Sequence, residues 1–252
     1  AGIGPDGSSV VVHAVIGSPV DGDETLDPKR SMLSERYSGT FAERVRVPAD
    51  NLIPLPAGFT FEQASCLPTA YLTAYRMLTT KASATAGQTI LVQGAGGGVA
   101  TAAIVLGKAM GCRVWVTSRD EQKGEWAVGI GADEAFPTGA RLPDKVDAVI
   151  ETVGEATWDH SLKSLRPGGI IVVSGATSGP MPPAQLNRVF FLQLTVAGST
   201  MGTAEEFRQL IDLMSLQQIS PIIDRTLPMT DAREGFAAMN EGNVRGKIVL
   251  TR

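Results

Sequence analysis

The stretch that decides the fold is Ile90-Leu91-Val92-Gln93-Gly94-Ala95-Gly96-Gly97-Gly98-Val99-Ala100. Its apolar first part, Ile90–Val92, predicts a buried β-strand. The segment from Val99 to Met110 carries apolar residues with gaps of four, three and four positions, which predicts an amphipathic helix. The glycines therefore lie where a strand turns into a helix.

The chemistry of phosphate binding explains glycines at such a turn. A pyrophosphate needs backbone N–H groups at close range, where a Cβ would block it, and it gains from the positive end of the helix dipole. Ala100 falls where a third glycine often permits tight packing, and alanine is accepted there. The alternatives are a purely structural turn or an S-adenosylmethionine site. The latter is disfavoured because Thr89–Gln93 has no acidic end. The predicted dinucleotide contacts are Gly94, Gly97, Gly98 and Val99.

The end of the next strand indicates which dinucleotide is bound. Ser118 lies 24 residues after Gly94, where NAD sites place an acid for the ribose 2′-hydroxyl. Here the position holds a serine, followed by Arg119 and by Lys123. A hydroxyl and two cations suit a 2′-phosphate, which predicts NADP(H). Asp120 leaves an alternative open, since turned inward it would serve the ribose hydroxyl of NAD(H).

Short apolar strands alternate with amphipathic helices after residue 61, which predicts an α/β fold with a doubly wound parallel sheet (Rossmann). The predicted strands are Val10–Val15, Phe41–Val47, Thr89–Val92, Arg113–Thr117, Val146–Thr152, Gly169–Gly175, Leu194–Ser199 and Lys247–Leu250. The predicted helices are Glu62–Thr79 (interrupted at Pro68), Val99–Met110, Glu121–Ile130, Thr157–Leu165, Thr203–Leu216 and Asp231–Asn240.

Composition excludes several function classes. The 252 residues are 43% hydrophobic and 19% charged, with a net charge of −4 and no basic cluster for nucleic acid or an anionic membrane. No apolar stretch would span a bilayer, and no leader opens the sequence, so we expect a cytoplasmic protein. Cys66 and Cys112 are the only cysteines. We expect them to be packed residues; the alternatives are a redox pair or metal ligands.

Taken together, the motifs resemble those of the medium-chain dehydrogenase/reductase superfamily, in its quinone-oxidoreductase-like and zinc-type alcohol dehydrogenase branches. They occur in the family's order along almost the whole chain. The carrying stretches are Gly39-Thr40-Phe41-Ala42-Glu43, Leu72-Thr73-Ala74-Tyr75, Gly94–Ala100, Gly131-Ala132-Asp133, Arg166-Pro167-Gly168-Gly169, Gly198-Ser199-Thr200-Met201-Gly202 and Gly246-Lys247-Ile248-Val249-Leu250.

The resemblance implies two domains. A Rossmann domain would span residues 58–218. A partial GroES-like β domain would comprise residues 1–57 and be completed by residues 219–252, the family's earlier half of that domain being absent from this sequence. The implied cofactor contacts are Thr73 near the nicotinamide, Val153 and Gly154 at the adenosine ribose, and Ala176, Thr177, Ser178, Ser199 and Thr200 around the nicotinamide ribose and amide. The alternative for Gly154 is a plain strand-end turn, and for Thr73 a helix residue that bonds its own backbone.

Zinc is not expected. The position of the later zinc-ligating cysteine falls at Thr69, and the loop Gly17–Tyr37, which stands where zinc-type relatives hold a cysteine-rich lobe, has no cysteine. A register shift would bring Cys66 to the ligand position. The resemblance also implies a homodimer through the uncharged edge strand 194–199.

These features predict an oxidoreductase that transfers a hydride between NADPH and a carbonyl, quinone or activated alkene. The catalytic residues are unknown; Tyr71 and Tyr75 are candidate proton donors but are expected to pack as helix aromatics. The alternative is a non-catalytic NADPH-binding module. The expected partners are a small-molecule substrate and a second copy of the chain.

Overall fold

The structure is a computed structural model that describes residues 1–252. The strands are β1 Gly2–Ile3, β2 Ser9–Val12, β3 Val15–Ile16, β4 Ser31–Met32, β5 Leu52–Pro54, β6 Thr89–Gln93, β7 Arg113–Ser118, β8 Glu134–Pro137, β9 Val146–Glu151, β10 Leu165–Val173, β11 Thr195–Gly198, β12 Ile223–Pro228 and β13 Lys247–Thr251. The helices are α1 Phe61–Ser65, α2 Leu72–Arg76, α3 Gly98–Ala109, α4 Glu121–Gly129, α5 Glu155–Ser164, α6 Leu186–Phe191, α7 Ala204–Leu216 and α8 Ala232–Asn240. None of these helices has both the length and the apolar character needed to cross a bilayer.

The chain divides into two compact units. Unit 1 comprises Ala1–Thr73 with Thr200–Arg252, and unit 2 comprises Ala74–Ser199. The domains expected from the resemblance place residues 58–73 and 200–218 with the nucleotide-binding part, whereas by compactness both segments group with unit 1.

Unit 2 contains the predicted doubly wound sheet. Its six strands lie in the order β11-β10-β9-β6-β7-β8, and all of their pairings are parallel. The chain runs outward in one direction from β6 and in the other from β9. The switch point therefore lies between β6 and β9, where open α/β sheets bind ligands beyond the carboxyl ends of the strands.

The core of unit 2 packs between this sheet and its helices. Leu91, Val149 and Ile171 on the central strands are fully buried and form one cluster with Leu162 of α5. The five predicted strands and three predicted helices of unit 2 are all present, displaced at their ends. The edge strand β8 and the short helix α6 were not predicted. The glutamate and proline of β8 are poor strand formers, and α6 has too few turns to show a helical period.

Unit 1 contains a small antiparallel sheet in the order β1-β2-β5 and a parallel pair, β12 with β13. The prediction of one strand over Val10–Val15 was wrong, because β2 ends at Val12. There the Asn51 side chain donates to the carbonyls of His13 and Val15, at 2.8 and 2.6 Å, and the chain continues from Val15 as β3, which pairs with β4.

Phe41–Val47 is not a strand, although its apolar and charged residues alternate. No neighbouring segment pairs with it, and Phe41 is 64% exposed. Alternation alone does not make a strand when no partner satisfies the backbone groups.

The helical segment predicted over residues 62–79 is present over residues 61–81. Pro68 interrupts it as expected: π-type turns span Leu67–Tyr71 and Met77–Lys81, with α2 between them. Since proline has no N–H to donate, the wider turn keeps the segment helical without that hydrogen bond.

Candidate functional site

Unit 2 brings most of the predicted site residues to the carboxyl ends of its strands. The turn Gly94–Gly97 follows β6, Ser118 ends β7, Val153 and Gly154 follow β9, and Ala176–Ser178 follow β10. The predicted turns after β6 and β9 are neighbours, since a Cβ added to Gly94 would lie 3.6 Å from Cγ2 of Val153. They form the two sides of the switch point.

The turn after β6 leads into a helix whose first backbone donors are open. Gly94 has a φ of +84°, which a residue with a Cβ rarely adopts. Gly97 is the N-cap of α3, and no side chain caps that helix end. A Cβ added to Gly97 would meet no atom within 4 Å. The first amides of α3 are therefore free to bind an anion, and the space in front of them is clear.

The end of β7 separates the roles of two adjacent charged residues. Asp120 is the N-cap of α4, and its carboxylate accepts from the amides of Gln122 and Lys123 at 2.9 and 3.3 Å. Arg119 is exposed and forms no ion pair. Ser118 is half-buried and donates to the Asp120 carbonyl at 2.7 Å. The helix start thus engages Oδ1 of the acid that left the cofactor choice open.

The turn after β9 is closed by its own hydrogen bonds. Oε1 of the buried Glu151 accepts from the amides of Val153 and Gly154, at 2.8 and 3.0 Å. Gly154 has a φ of +91°, and a Cβ there would lie 2.6 Å from the carbonyl oxygen of Gly179. Glycine is needed here because another part of the chain passes close by, which favours the plain strand-end turn for Gly154.

The turn after β10 is also largely engaged with the protein. The Ser178 hydroxyl donates to the Val153 carbonyl at 2.8 Å and accepts from the Ala156 amide at 2.9 Å. Thr177 is exposed, and its hydroxyl donates to the Thr152 carbonyl at 3.4 Å. Ala176 is exposed. What this turn offers a ligand is its surface rather than the Ser178 hydroxyl.

Two hydroxyls near these turns have no partner. Ser174 and Ser199 directly follow Val173 and Gly198, which are paired in the parallel register of β10 and β11. The hydroxyl oxygens of both serines are buried and make no hydrogen bond. Because a buried hydroxyl without a partner is costly, they are available to a polar ligand.

Sequence analysis missed a buried polar chain beneath the site. The Gly94 amide donates to the Thr117 hydroxyl (3.3 Å), which donates to Oε1 of Gln93 (2.6 Å). Nε2 of Gln93 donates to the Ser161 hydroxyl (2.9 Å), which donates to Oε2 of Glu151 (2.6 Å). A polar residue closing an apolar strand, as Gln93 and Glu151 do, was the signal that would have identified it.

The remaining predicted residues belong to unit 1. Thr73 is buried in α2, and Thr200 is exposed. Tyr71 is fully buried, its hydroxyl oxygen accepts from the Ile222 amide at 2.8 Å, and burial raises its pKa, so it suits packing rather than proton donation.

Both cysteines are free, buried and packed, as expected. Burial raises the pKa of each thiol, and Cys66 donates to the Glu62 carbonyl one helical turn earlier. Thr69, at the position aligned with a zinc ligand, is exposed.

Comparison with known proteins places this geometry in a family. The zinc-binding dehydrogenase family matches residues 98–216. A zinc-type alcohol dehydrogenase-like protein, YogA, of Leptosphaeria maculans is 34% identical over 78% of this chain and 60% of its own length. An acryloyl-coenzyme A reductase of Metallosphaera sedula is 30% identical over 91% of this chain and 70% of its own. The chain thus spans under two thirds of the first relative.

Solved structures agree. An NAD-dependent alcohol dehydrogenase superposes with a TM-score of 0.89 at 31% identity, covering 98% of this chain and 76% of that one. The 2-octenoyl-CoA carboxylase reductase CinF, in complex with NADP and 2-octenoyl-CoA, gives 0.90 at 25% identity, covering 97% and 62%. With the switch-point sheet and the open glycine turn, these matches establish that the chain belongs to the medium-chain dehydrogenase/reductase superfamily.

Proposed function

We propose that this protein transfers a hydride between NADPH and a carbonyl, quinone or activated alkene, without zinc. The observation that carries the proposal is the open turn Gly94–Gly97 at the switch point, with uncapped amides and no atom in front of Gly97. A pyrophosphate fits this arrangement, since helix N-termini bind anions. The amides of Gly98 and Val99 would donate to the pyrophosphate, and the positive φ of Gly94 would let the backbone turn beneath it.

The preference for NADPH is supported by the end of β7. Arg119 is exposed and unpaired, so its guanidinium is free to form two hydrogen bonds with a 2′-phosphate, with Ser118 and Lys123 beside it. Oδ1 of Asp120, the acid that would favour the 2′-hydroxyl of NADH, caps α4. The complex of CinF with NADP is consistent with this preference.

The nicotinamide half of the cofactor is proposed to lie toward Ala176–Ser178 and Ser199 of unit 2. The unpartnered hydroxyl of Ser199 supports this, since an amide or ribose would satisfy it. Val153 and Gly154 would contact the adenosine ribose through their surface, because the amides of both are bonded to Glu151. The bound dinucleotide supplies the hydride; the protein orients it and excludes water.

Zinc independence is supported by the residues present. No group of three or more His, Cys, Asp or Glu side chains could hold a metal ion. The position aligned with a catalytic zinc ligand is Thr69, and Cys66 is buried with a raised thiol pKa. Elemental analysis of the purified protein should find less than stoichiometric zinc; about one zinc per chain would refute the proposal.

A homodimer through β11 completes the proposal. This strand is the edge of the sheet, and Val196 on it is 48% exposed. Phe190 and Phe191 are exposed beside it, which leaves apolar surface and open backbone groups at one edge. Light scattering should give twice the 26.5 kDa mass of one chain. Val196→Pro should reduce it to the monomer by removing a backbone donor.

Binding and turnover test the function directly. NADPH should bind more tightly than NADH, and NADPH oxidation should depend on an added quinone, aldehyde or enal. Binding without turnover of any of these would identify a dinucleotide-binding module instead. Equal affinities for the two dinucleotides would refute the NADPH preference.

A further inference from the structure

Four side chains with no exposed surface join the two turns of the switch point: Gln93, Thr117, Glu151 and Ser161. We propose that Glu151 is a positioning residue for the dinucleotide site, which acts directly on the turn after β9 and, through the other three, on the Gly94 amide. This inference rests on the proposed function, because it concerns the binding of the same dinucleotide.

The two ends of this hydrogen-bonded series, the Gly94 amide and the Glu151 carboxylate, determine the direction of each hydrogen bond in it. A backbone amide only donates, so the Thr117 hydroxyl accepts from Gly94 and gives its own hydrogen to Gln93. The amide nitrogen of Gln93 must then donate to Ser161, whose hydrogen goes to Glu151. A reversed amide at Gln93 would face the Thr117 hydroxyl with a donor, so one arrangement is favoured.

Glu151 is the acceptor on which the arrangement depends. Its two oxygens receive the Val153 and Gly154 amides and the hydroxyls of Thr157 and Ser161. Every one of these groups donates, which matches an acceptor-only carboxylate. A buried carboxylate is costly unless it is bonded in this way, and an apolar residue would end the strand more cheaply.

His160 anchors the middle of the chain from outside. The second hydrogen of the Gln93 amide points to Nδ1 of His160 at 2.9 Å, so Nδ1 accepts. Nε2 of His160 then donates to the Ala140 carbonyl at 2.8 Å. Both hydrogens of the Gln93 amide and its oxygen therefore have protein partners, and no water is needed to hold this side chain.

The consequence for binding is preorganisation. The amides of Gly94, Val153 and Gly154 are held inward, so the first amides of α3 remain as the donors that face a pyrophosphate. Both turns are fixed before any ligand arrives, which lowers the ordering cost of binding. Removing the hydrogen bonds of Glu151 should therefore weaken dinucleotide binding, in addition to any loss of stability.

Asp147 provides a matched control at the opposite end of the same strand. Its carboxylate also bonds a neighbouring strand, accepting from the Thr89 amide and from Nε of Arg166, both at 2.7 Å. It lies at the amino end of β9, away from the turns. We compare Glu151→Leu and Glu151→Gln with Asp147→Leu and Asp147→Asn in the full chain, measuring thermal unfolding and NADPH titration.

We expect Glu151→Leu to weaken NADPH binding about tenfold, the equivalent of one lost hydrogen bond of about 1.4 kcal/mol. Glu151→Gln should weaken binding by only about threefold, because its oxygen still accepts from the two turn amides, although its NH₂ leaves the Ser161 hydrogen without an acceptor. Both Asp147 variants should bind like the parent even where they unfold at lower temperature. Parent affinity in Glu151→Leu, or equal losses in the Leu and Gln variants, would overturn the proposal.

Thr117→Val keeps the test decisive if Glu151→Leu does not fold, since it preserves shape while it removes the acceptor of the Gly94 amide and the donor to Gln93. We expect faster hydrogen exchange at the Gly94 amide by NMR without any dinucleotide, a smaller increase in Ser161→Ala, and none in Asp147→Asn. Unchanged exchange in both Thr117→Val and Ser161→Ala overturns the hydrogen-bonded chain. A parent protein that binds neither NADPH nor NADH refutes the proposed function separately, because the exchange measurement needs no ligand.

Discussion

Two glycine turns lie side by side at the switch point, and they use glycine for opposite reasons. After β6, Gly97 has open space where a Cβ would go, and the amides beyond it are uncapped. After β9, a Cβ on Gly154 would meet the Gly179 carbonyl, and the turn's amides are bonded to Glu151. The first glycine leaves space that the proposed cofactor would use, whereas the second admits another segment of the same chain.

The contrast extends to the two halves of the sheet. On the β6 and β7 side, open amides and the unpaired Arg119 face outward. On the β9 and β10 side, the polar groups of Val153 and Ser178 bond to one another. If the first half binds the phosphates, as proposed, and the second only holds the shape of the site, substitutions in the first should change cofactor affinity and substitutions in the second should change stability.

The largest expected effect is on stability, at Gly154. Gly154→Ala should lower the free energy of unfolding by about 2–5 kcal/mol, because it combines a strained positive φ with a steric clash. Gly97→Ala is the matched control and should cost less than about 1 kcal/mol, since the new Cβ meets nothing. Urea unfolding of both variants measures the two losses. Equal losses in the free energy of unfolding would contradict the distinction between the turns.

The next effect is on cofactor selectivity, at Arg119. Arg119→Ala should weaken NADPH binding about 10- to 100-fold by removing a charge-assisted contact of roughly 1.5–3 kcal/mol, and should leave NADH binding nearly unchanged. Arg113→Ala, at the other end of β7, should alter neither affinity. A parallel loss for both dinucleotides would place Arg119 away from the 2′-phosphate.

Gly97→Ala should also weaken binding, but without selectivity. Its Cβ would occupy the space through which a pyrophosphate approaches, so titrations should show losses of about tenfold for NADPH and NADH alike. Because the protein itself has room for the methyl group, the free energy of unfolding should hardly change, and measuring it shows that any lost affinity is not due to lost stability. Undiminished affinity for both would mean that the phosphates bind elsewhere.

The smallest effect is expected at Asp120. Removal of this N-cap in Asp120→Ala should lower the free energy of unfolding by about 1 kcal/mol, and NADH affinity should stay the same. Isothermal titration with NADH is the sensitive measurement. A marked loss there would show that the carboxylate serves the ribose rather than the helix.

Sequence patterns anticipated the elements that local chemistry determines. The glycine turn, the strand before it and the helix after it follow from residues close together in the chain. The capping box of α7, in which the Thr203 hydroxyl and the Glu206 side chain bond each other's amides, likewise joins residues three positions apart. In each case the partners are within one or two turns of one another.

What the patterns missed depends on topology. The amide of Gln93 and the hydroxyl of Ser161 bond across 68 positions, and only the parallel pairing of β6 with β9 brings them together. Phe41–Val47 shows the converse, since its alternation lacks a partner strand. Neither the role of Glu151 nor the engagement of the Ser178 hydroxyl can be inferred without knowing which strand ends are neighbours.

The division of labour between Arg119 and Asp120 has a practical side for protein engineering. The residue proposed to choose the coenzyme and the residue that starts α4 are adjacent but independent, because the carboxylate of Asp120 bonds only toward the helix. A library intended to redirect the protein to the cheaper coenzyme should therefore randomise position 119 and leave positions 118 and 120 untouched, since the Ser118 hydroxyl bonds the backbone of Asp120. Variants selected in this way would exchange specificity without first needing a compensating stabilising mutation.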